Sequence, residues 1–393
     1  MHSKRFHLLY VFPEPLPLSR ARGVQVAHFV NALAQQGAMV TLAYVPSGSE
    51  HPFAPLGIEV PNGVVLLPLS RQLPGLLGAL SMKSHRLFMW RLARWIRNSV
   101  KTGTVPDMVF FRHVKAAAWC CDAFPRLSLA YEAHEVFAQT AKPSQRLRIS
   151  SLERKVLNSA LLVIANSQGS ADGLSRTHAV RRSIVVLPNG VAYPGSLPQK
   201  DWADASRRIV YAGSLFGWKG VDDLVEAFNS LPGFRLSVIG GTPEQVQRLK
   251  ERQNGGGGEI EFLGQQPHYE VQHRLATACI AVLPNRSDKD SEFTSPLKLF
   301  EYLASGCAVV ATDLPAMREV LGANDAVWAR PGDPDSLAGA ITLACRSPES
   351  LEQLGLRGRV LVRDKTWVRR AESFLAHAGE LLGSESRLSS GEQ

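Results

Sequence analysis

A helix that starts with its backbone N–H groups unpaired is a place for an anion, and Thr294-Ser295-Pro296-Leu297-Lys298 reads as such a start. Thr and Ser are capping residues, Pro is favoured in the first turn, and the run that follows is helical until Ser305 and Gly306. Lys298 adds a full charge to that N-terminus, so the pattern suits a phosphate or diphosphate. Glu301, one turn on, does not want a phosphate but can accept hydrogen bonds from sugar hydroxyls, as acidic residues do on ribose in dinucleotide-binding folds. Local physics leaves a second reading open, in which Lys298 and Glu301 are an i,i+3 surface pair on an amphipathic helix.

A second lysine has a similar setting. RRIVYAGSLFGWKGVDDLVEAFNSLPGFRLSVIGG runs strand, glycine-bearing loop, helix, strand, and Lys219-Gly220 stands just before the helix that Asp222 opens. In the first half, HLLYVF is followed by a Pro-rich loop, Gly23, and a helix with Val26, Phe29, Val30 and Leu33 on one face. The loop Ser19 to Gly23 is thereby placed at the carboxyl end of a strand, where glycine lets backbone approach a phosphate and Arg20 and Arg22 add charge. His134 follows the strand LSLAY within YEAHE, between Glu132 and Glu135, and a carboxylate neighbour can orient the ring or raise its pKa. The alternative for His134 is a loop histidine bonded to backbone.

The elements that must hold these residues alternate strand and helix through both halves, which points to α/β architecture with two doubly wound sheets. The chain has 393 residues, 45% hydrophobic and 20% charged, enough for two cores. Boundaries are expected at 1–194 for the first domain, 195–207 for a linker and 208–365 for the second domain. A helix over 366–382 and a disordered tail over 383–393 complete the chain. No apolar run reaches the length of a membrane span, and MHSKRFHLLYVFPEP reads as a first strand rather than a signal peptide. Five cysteines, an odd number with no C-x-x-C, fit a reducing cytoplasm. The net charge of +9 suits anionic partners, and no nucleic-acid motif accompanies it. On a helix through SMKSHRLFMWRLARWIRNSVK, Lys83, Arg86, Arg94, Arg97 and Lys101 share one side with Trp90, while Phe88, Leu92, Ile96 and Val100 lie opposite. That basic face suits either solvent or peripheral contact with an anionic membrane, at the inner face of which the chain would then sit.

SPLKLFEYLASGCAVVATDLPAMREVL resembles the donor-binding segment of the family 4 (group 1) glycosyltransferases, which have the two-domain GT-B fold. GSLFGWKGVDDLVEAF and YEAHE are also similar to that family, and the likeness runs from the first glycine loop to Trp367. The resemblance implies two Rossmann-like domains facing a central cleft. It implies that the helix start at Ser295, Pro296, Leu297 and Lys298 holds a nucleotide diphosphate, with Glu301 on the ribose. By the same likeness Gly23, Gly213, Ser214 and Lys219 lie against the donor, Gln265 touches the base, and His134, beside Glu135, stands close to the transferred sugar. The family pattern has a glutamate eight positions before the one matching Glu301, where this chain has Phe293 with Glu292 beside it. It also has an arginine after the first glycine of the second motif, where this chain has Ser214.

The function expected is transfer of a sugar from a nucleotide diphosphate sugar to an acceptor hydroxyl, with retention, in polysaccharide or glycoconjugate synthesis. No cofactor is expected beyond the nucleotide sugar as co-substrate. No D-x-D triplet marks a metal site, so the helix starts and lysines would stabilise the departing diphosphate instead. The acceptor is unnamed, with a lipid-linked one suited to the basic helix. A non-catalytic scaffold on the same fold, or an epimerase or phosphorylase, are the other classes the residues leave open.

Overall fold

The computed structural model describes residues 5–18, 21–72, 85–180, 182–255, 257–287 and 297–390. The chain forms two compact units, Met1–Pro188 with Trp367–Gln393, and Asn189–Thr366. In the first unit seven strands carry the sheet: β1 (His7–Leu16), β2 (Met39–Pro46), β3 (Val64–Pro68), β4 (Met108–Phe111), β5 (Leu129–Ala133), β6 (Leu162–Ala165) and β7 (Ile184–Val186). Their order is β3-β2-β1-β4-β5-β6-β7, with every pair parallel. The helices between them are α1 (Ala21–Gln35), α2 (His85–Thr102), α3 (Val114–Ala123), α4 (Phe137–Thr140), α5 (Arg146–Ser159) and α6 (Gln168–Thr177).

The second unit repeats the plan with β8 (Ile209–Ala212), β9 (Arg235–Ile239), β10 (Glu259–Gly264), β11 (Ile280–Leu283), β12 (Ala308–Thr312) and β13 (Val327–Ala329), in the order β10-β9-β8-β11-β12-β13. Its helices are α7 (Val221–Phe228), α8 (Pro243–Lys250), α9 (His268–Thr277), α10 (Leu297–Ala304), α11 (Pro315–Arg318), α12 (Pro334–Ala344) and α13 (Pro348–Leu361). Alternate residues of each strand enter different cores. Ile280, Val282, Ala308 and Val310 pack with Leu224 and Phe228 on one face, while Ala281, Leu283, Val309 and Ala311 pack with Leu299, Phe300 and Leu303 on the other. Two buried faces explain why these strands read as continuous apolar runs rather than alternating ones.

The last helix, α14 (Trp367–Ser390), belongs to the first unit. It packs on α1: Phe374 meets Phe29 edge-on at 5.7 Å and Phe110 at 5.6 Å, and Trp367 stacks on His28 at 5.7 Å. Arg370 forms a buried ion pair with Glu132 and donates to the carbonyls of Leu187 and Pro188, the latter at 2.7 Å. Burial alone would raise the Glu132 pKa, but Arg370, His134 and Arg112 together hold the carboxylate well below the usual range.

Three expectations change. The chain leaves the first unit after Pro188, not at 194, because Val191 already pairs with Lys365 and Thr366 of the second unit, its N–H donating to the Lys365 carbonyl at 2.9 Å. The tail expected to be disordered from 383 continues as helix to Ser390; once nucleated on packed turns, a Pro-free segment extends at little cost. On α2, Val100 is exposed with the basic side rather than buried with Phe88, Leu92 and Ile96, and Ser99 takes the inward position. Lys83 and the segment 288–296 lie outside the described residues. Among the described residues no helix is long and apolar enough to cross a membrane, and all five cysteines are free.

Arg370→Met should lower the stability of the first unit by about 3–5 kcal/mol, because Glu132 is left buried with its main counter-charge gone. Adding Glu132→Gln should restore much of that loss. Urea unfolding followed by tryptophan fluorescence checks both, and a single variant as stable as the parent contradicts the role given to the pair.

Candidate active site

Strand β8 ends at Ala212, just before Gly213, and around that end the second unit gathers charged residues. Tyr302 of α10 clamps the strand end by accepting from the Ala212 N–H at 2.8 Å and donating to the Ala212 carbonyl at 3.1 Å. Tyr211 donates its only proton to the Ser214 carbonyl at 2.7 Å, so its oxygen is left to accept from Lys298 Nζ at 2.9 Å. Lys298 lies directly over Gly213, where a Cβ would stand 1.5 Å from Nζ. A side chain at 213 would displace the lysine's end, and the φ of +151° there favours glycine.

Lys219 closes a single 3-10 turn, Gly217–Lys219, and its Nζ sits 3.6 Å from the centre of the Trp218 ring. Gly220 follows with φ of +67°, pressed so close to the Pro284 carbonyl that a Cβ would meet the oxygen at 1.7 Å. The turn is held from the other side by Arg286: its Nε donates to Asp223 Oδ2 at 2.7 Å, and its backbone N–H donates to the Trp218 carbonyl at 2.9 Å. Asp223, in the first turn of α7, is thus spent on structure.

The two lysines are left without acids of their own. Among the described residues neither has a carboxylate within 4 Å. Burial lowers the Lys219 pKa to about 7. Lys298 is lowered well below the usual lysine range, first by burial and then by the charge of Lys219, against a smaller opposing pull from Glu301. Burial pushes Glu301 up to about 7 although Lys298 opposes it. Two lysines whose charge is suppressed, Lys219 by burial and Lys298 by burial and by Lys219, form a position that an anion would stabilise.

In the first unit the residues gather around His134, immediately after β5. Its Nδ1 lies 3.1 Å from Arg112 Nη2 and 3.2 Å from Asn166 Nδ2. A guanidinium only donates. The amide is oriented by a relay in which Ser167 donates to Ser170 Oγ at 3.0 Å and Ser170 donates to Asn166 Oδ1 at 3.0 Å, leaving the Asn166 NH2 for the ring. Nδ1 is therefore an acceptor on both counts, and the proton sits on Nε2. Nε2 is 3.2 Å from Glu132 Oε1 but poorly aligned for a hydrogen bond with it. Burial and Arg112 lower the ring's pKa to about 4 against the pull of Glu132. His134 is a neutral hydrogen-bond donor at neutral pH. The loop beyond it is fixed by Glu153, whose two oxygens accept from the N–H groups of Phe137 and Ala138 at 2.9 and 3.0 Å and which meets His178 at 2.9 Å.

Several candidate residues fall elsewhere. Gly23 is in the first turns of α1 rather than in a loop, and the space its missing Cβ frees is taken by Leu18, whose carbonyl oxygen would be 2.2 Å away. Arg22 is half exposed and paired with Glu14 at 2.9 Å. Gln265 is exposed after β10, and Glu135 is partly buried beside His134. Ser214 contributes its carbonyl to Tyr211, and Leu297 opens α10. Arg20, Ser295, Pro296, Phe293 and Glu292 lie outside the described residues. Sequence reasoning gave no role to Tyr211, Arg112, Asn166 or Arg370, and offered Glu132 only as a carboxylate neighbour of His134. Only a polar residue at a strand end, as in FFRH and IANS, could have flagged two of them. Among the described residues no group of three or more His, Cys, Asp or Glu is arranged to hold a metal ion.

Residues 22–190 match the family described as Glycosyl transferase 4-like domain, and residues 206–346 match Glycosyl transferases group 1. A curated relative, TuaH of Bacillus subtilis (strain 168), provisionally named as a teichuronic acid biosynthesis glycosyltransferase, is 27% identical over 229 residues. That alignment covers 50% of this chain and 56% of TuaH, so the match spans little more than half of the relative. Among solved structures, the sucrose-phosphate synthase of Thermosynechococcus elongatus superposes with a TM-score of 0.75 at 18% identity, covering 97% of this chain and 100% of that one. Anabaena Alr3699/HepE, in complex with UDP and glucose, gives 0.71 at 17% identity, covering 96% and 100%. WaaG, a glycosyltransferase of lipopolysaccharide biosynthesis, gives 0.66 at 16% identity, covering 93% and 98%. At such identities the likeness carries the fold, two Rossmann-like domains. The two family matches, one on each unit, place the chain in the group 1, family 4 glycosyltransferases of GT-B fold.

Proposed function

We propose that this chain transfers a sugar from a nucleotide diphosphate sugar to an acceptor hydroxyl, with the donor's diphosphate at Lys219 and Lys298. The observation that carries the reading is the convergence of two lysines, without acids of their own, at the end of β8. As the bond from the anomeric carbon to the diphosphate breaks, negative charge develops on the leaving oxygen, and fixed cations in a partly desolvated site lower the barrier most when aimed there. Glu301, with no donor within hydrogen-bonding distance among the described residues, suits ribose hydroxyls. His134, neutral, with Nδ1 held by Arg112 and Asn166 and Nε2 buried beside Glu132, suits positioning of the transferred sugar rather than the work of a base. The acceptor's proton then goes to the departing diphosphate, which fits attack on the same face and retention. The UDP and glucose held by HepE and the name of TuaH support a sugar nucleotide as donor and a polysaccharide as the product class. On α2, Arg86, Trp90, Arg94, Arg97 and Lys101 are all exposed along one side, which supports peripheral contact with anionic lipid.

Lys298→Ala should reduce turnover about 10²–10³-fold in EDTA-containing buffer while leaving the melting temperature nearly unchanged. Equal turnover in Lys298→Ala and Lys219→Ala, both matching the parent, removes the basis of the proposal. Since Lys219 in the empty site loses its proton near pH 7, a bound diphosphate must hold that proton on. Binding of UDP is expected to take up as much as about one proton per ligand at pH 8 and to weaken from pH 7 to pH 9. Calorimetry in buffers of different ionisation enthalpy reads this directly. For the basic helix, Arg94→Glu with Arg97→Glu should abolish co-sedimentation with phosphatidylglycerol vesicles at low salt without altering UDP binding.

A further inference from the structure

The first unit holds a second group of cations that the proposed transfer does not use. Arg71 follows β3, His85 opens α2, His113 follows β4, and Lys115 is in the first turn of α3. The two imidazole rings lie 5.3 Å apart, inclined at 40°. His113 Nδ1 accepts from the Ala116 N–H at 3.2 Å, so its Nε2 is the nitrogen that carries the ring's proton. His85 Nε2 and Arg71 Nε are buried without hydrogen-bond partners among the described residues. Neither is loose: Arg71 donates to the Pro13 carbonyl, and Arg91 steadies its neighbours by donating to Ser70 O at 2.7 Å and Gln72 O at 3.2 Å.

Among the described residues the charged groups that act on the two rings are Arg71 and Lys115, with no acid. Burial, the neighbouring ring and these cations lower His113 to about 4, and burial with the same two cations lowers His85. A buried polar atom with no partner is costly, and two of them beside like-charged neighbours are stabilised together by one anion. The position adds weight. β1 and β4 are neighbours in the sheet, but the chain leaves β1 towards β2 on one side and β4 towards β5 on the other. That is the switch point of a doubly wound sheet, where ligands bind beyond the strand ends.

We infer that Arg71, His85, His113 and Lys115 form a phosphoryl-binding site in the first unit, separate from the lysines of the second. Resting on the transferase reading, its ligand is a phosphate or diphosphate carried by the acceptor. The cluster offers two fixed cations and two rings that become cationic when an anion arrives, which matches a multiply charged group better than a single carboxylate.

The test uses the full chain carrying Lys219→Ala and Lys298→Ala, so that binding at the second unit is removed, with inorganic pyrophosphate as probe. Ring Cε1–H signals are assigned with His85→Gln and His113→Gln. Saturating pyrophosphate should raise the pKa of both rings by about one unit or more, and its affinity should rise about tenfold between pH 7.5 and pH 6. Arg71→Met should abolish both effects, and Lys115→Met, at an exposed position, should weaken them if the first variant does not fold. Rings unmoved by pyrophosphate, shifts that persist in both variants, or shifts produced by phosphatidylglycerol vesicles but not by pyrophosphate would each overturn the assignment. Stabilisation of the parent chain by UDP-glucose, lost in Lys298→Ala, is measured alongside. Its absence with the histidine shifts intact refutes the donor reading and leaves the anion site standing.

Discussion

Parallel strands cannot be joined by a tight turn; each must be reached by a crossover, and the crossovers of a doubly wound sheet bring every strand's carboxyl end to the same edge. Both units obey this constraint, and it decides where chemistry can happen. Gly213, Lys219 and Arg286 follow β8 and β11, while Arg112, His113, His134 and Asn166 follow β4, β5 and β6. Residues separated by nearly ninety positions, such as Tyr211 and Lys298, become hydrogen-bond partners because their elements start or end at that edge.

Charge at these edges is managed in two ways. Where it is structural, it is paired: Glu132 with Arg370, Asp223 with Arg286, Glu153 with His178 and two backbone N–H groups. Elsewhere, as at Lys219, Lys298, His85 and His113, no acid pairs with it among the described residues and its protonation is suppressed. Buried pairs contribute little net stability, but removing one partner is costly, so they fix geometry. Unpaired cations store the opposite tendency, a surplus of positive potential that an anion relieves.

Glycine shows how backbone and side chain share this edge. At 213 a φ of +151° favours glycine and Lys298 fills the space a Cβ would take, while at 220 the Pro284 carbonyl leaves no room for one. At Gly23 the crowding comes from the chain's own Leu18, so a glycine near a strand end need not mean a ligand against the backbone.

Strand and helix order, the two-unit plan, and the positions of Lys219, Lys298 and His134 at strand ends and helix starts were legible in the sequence. Each rests on local pattern: apolar runs for buried strands, and charged residues at the starts of helices. Continuous runs such as ALLVIANS and CAVVATD predict parallel strands because both faces are buried, and packing bears that out. What only the tertiary structure decided is which groups meet. The tautomer of His134 depends on Arg112 and Asn166, from other strand ends, and on a serine relay; the acid near it is claimed by Arg370 from the far end of the chain. The suppressed charge of Lys298 likewise depends on Lys219, in a different crossover. Periodicity reports which face of an element is buried, but hydrogen bonds and charge interactions act across space, and their partners are chosen by sheet order rather than by distance along the chain.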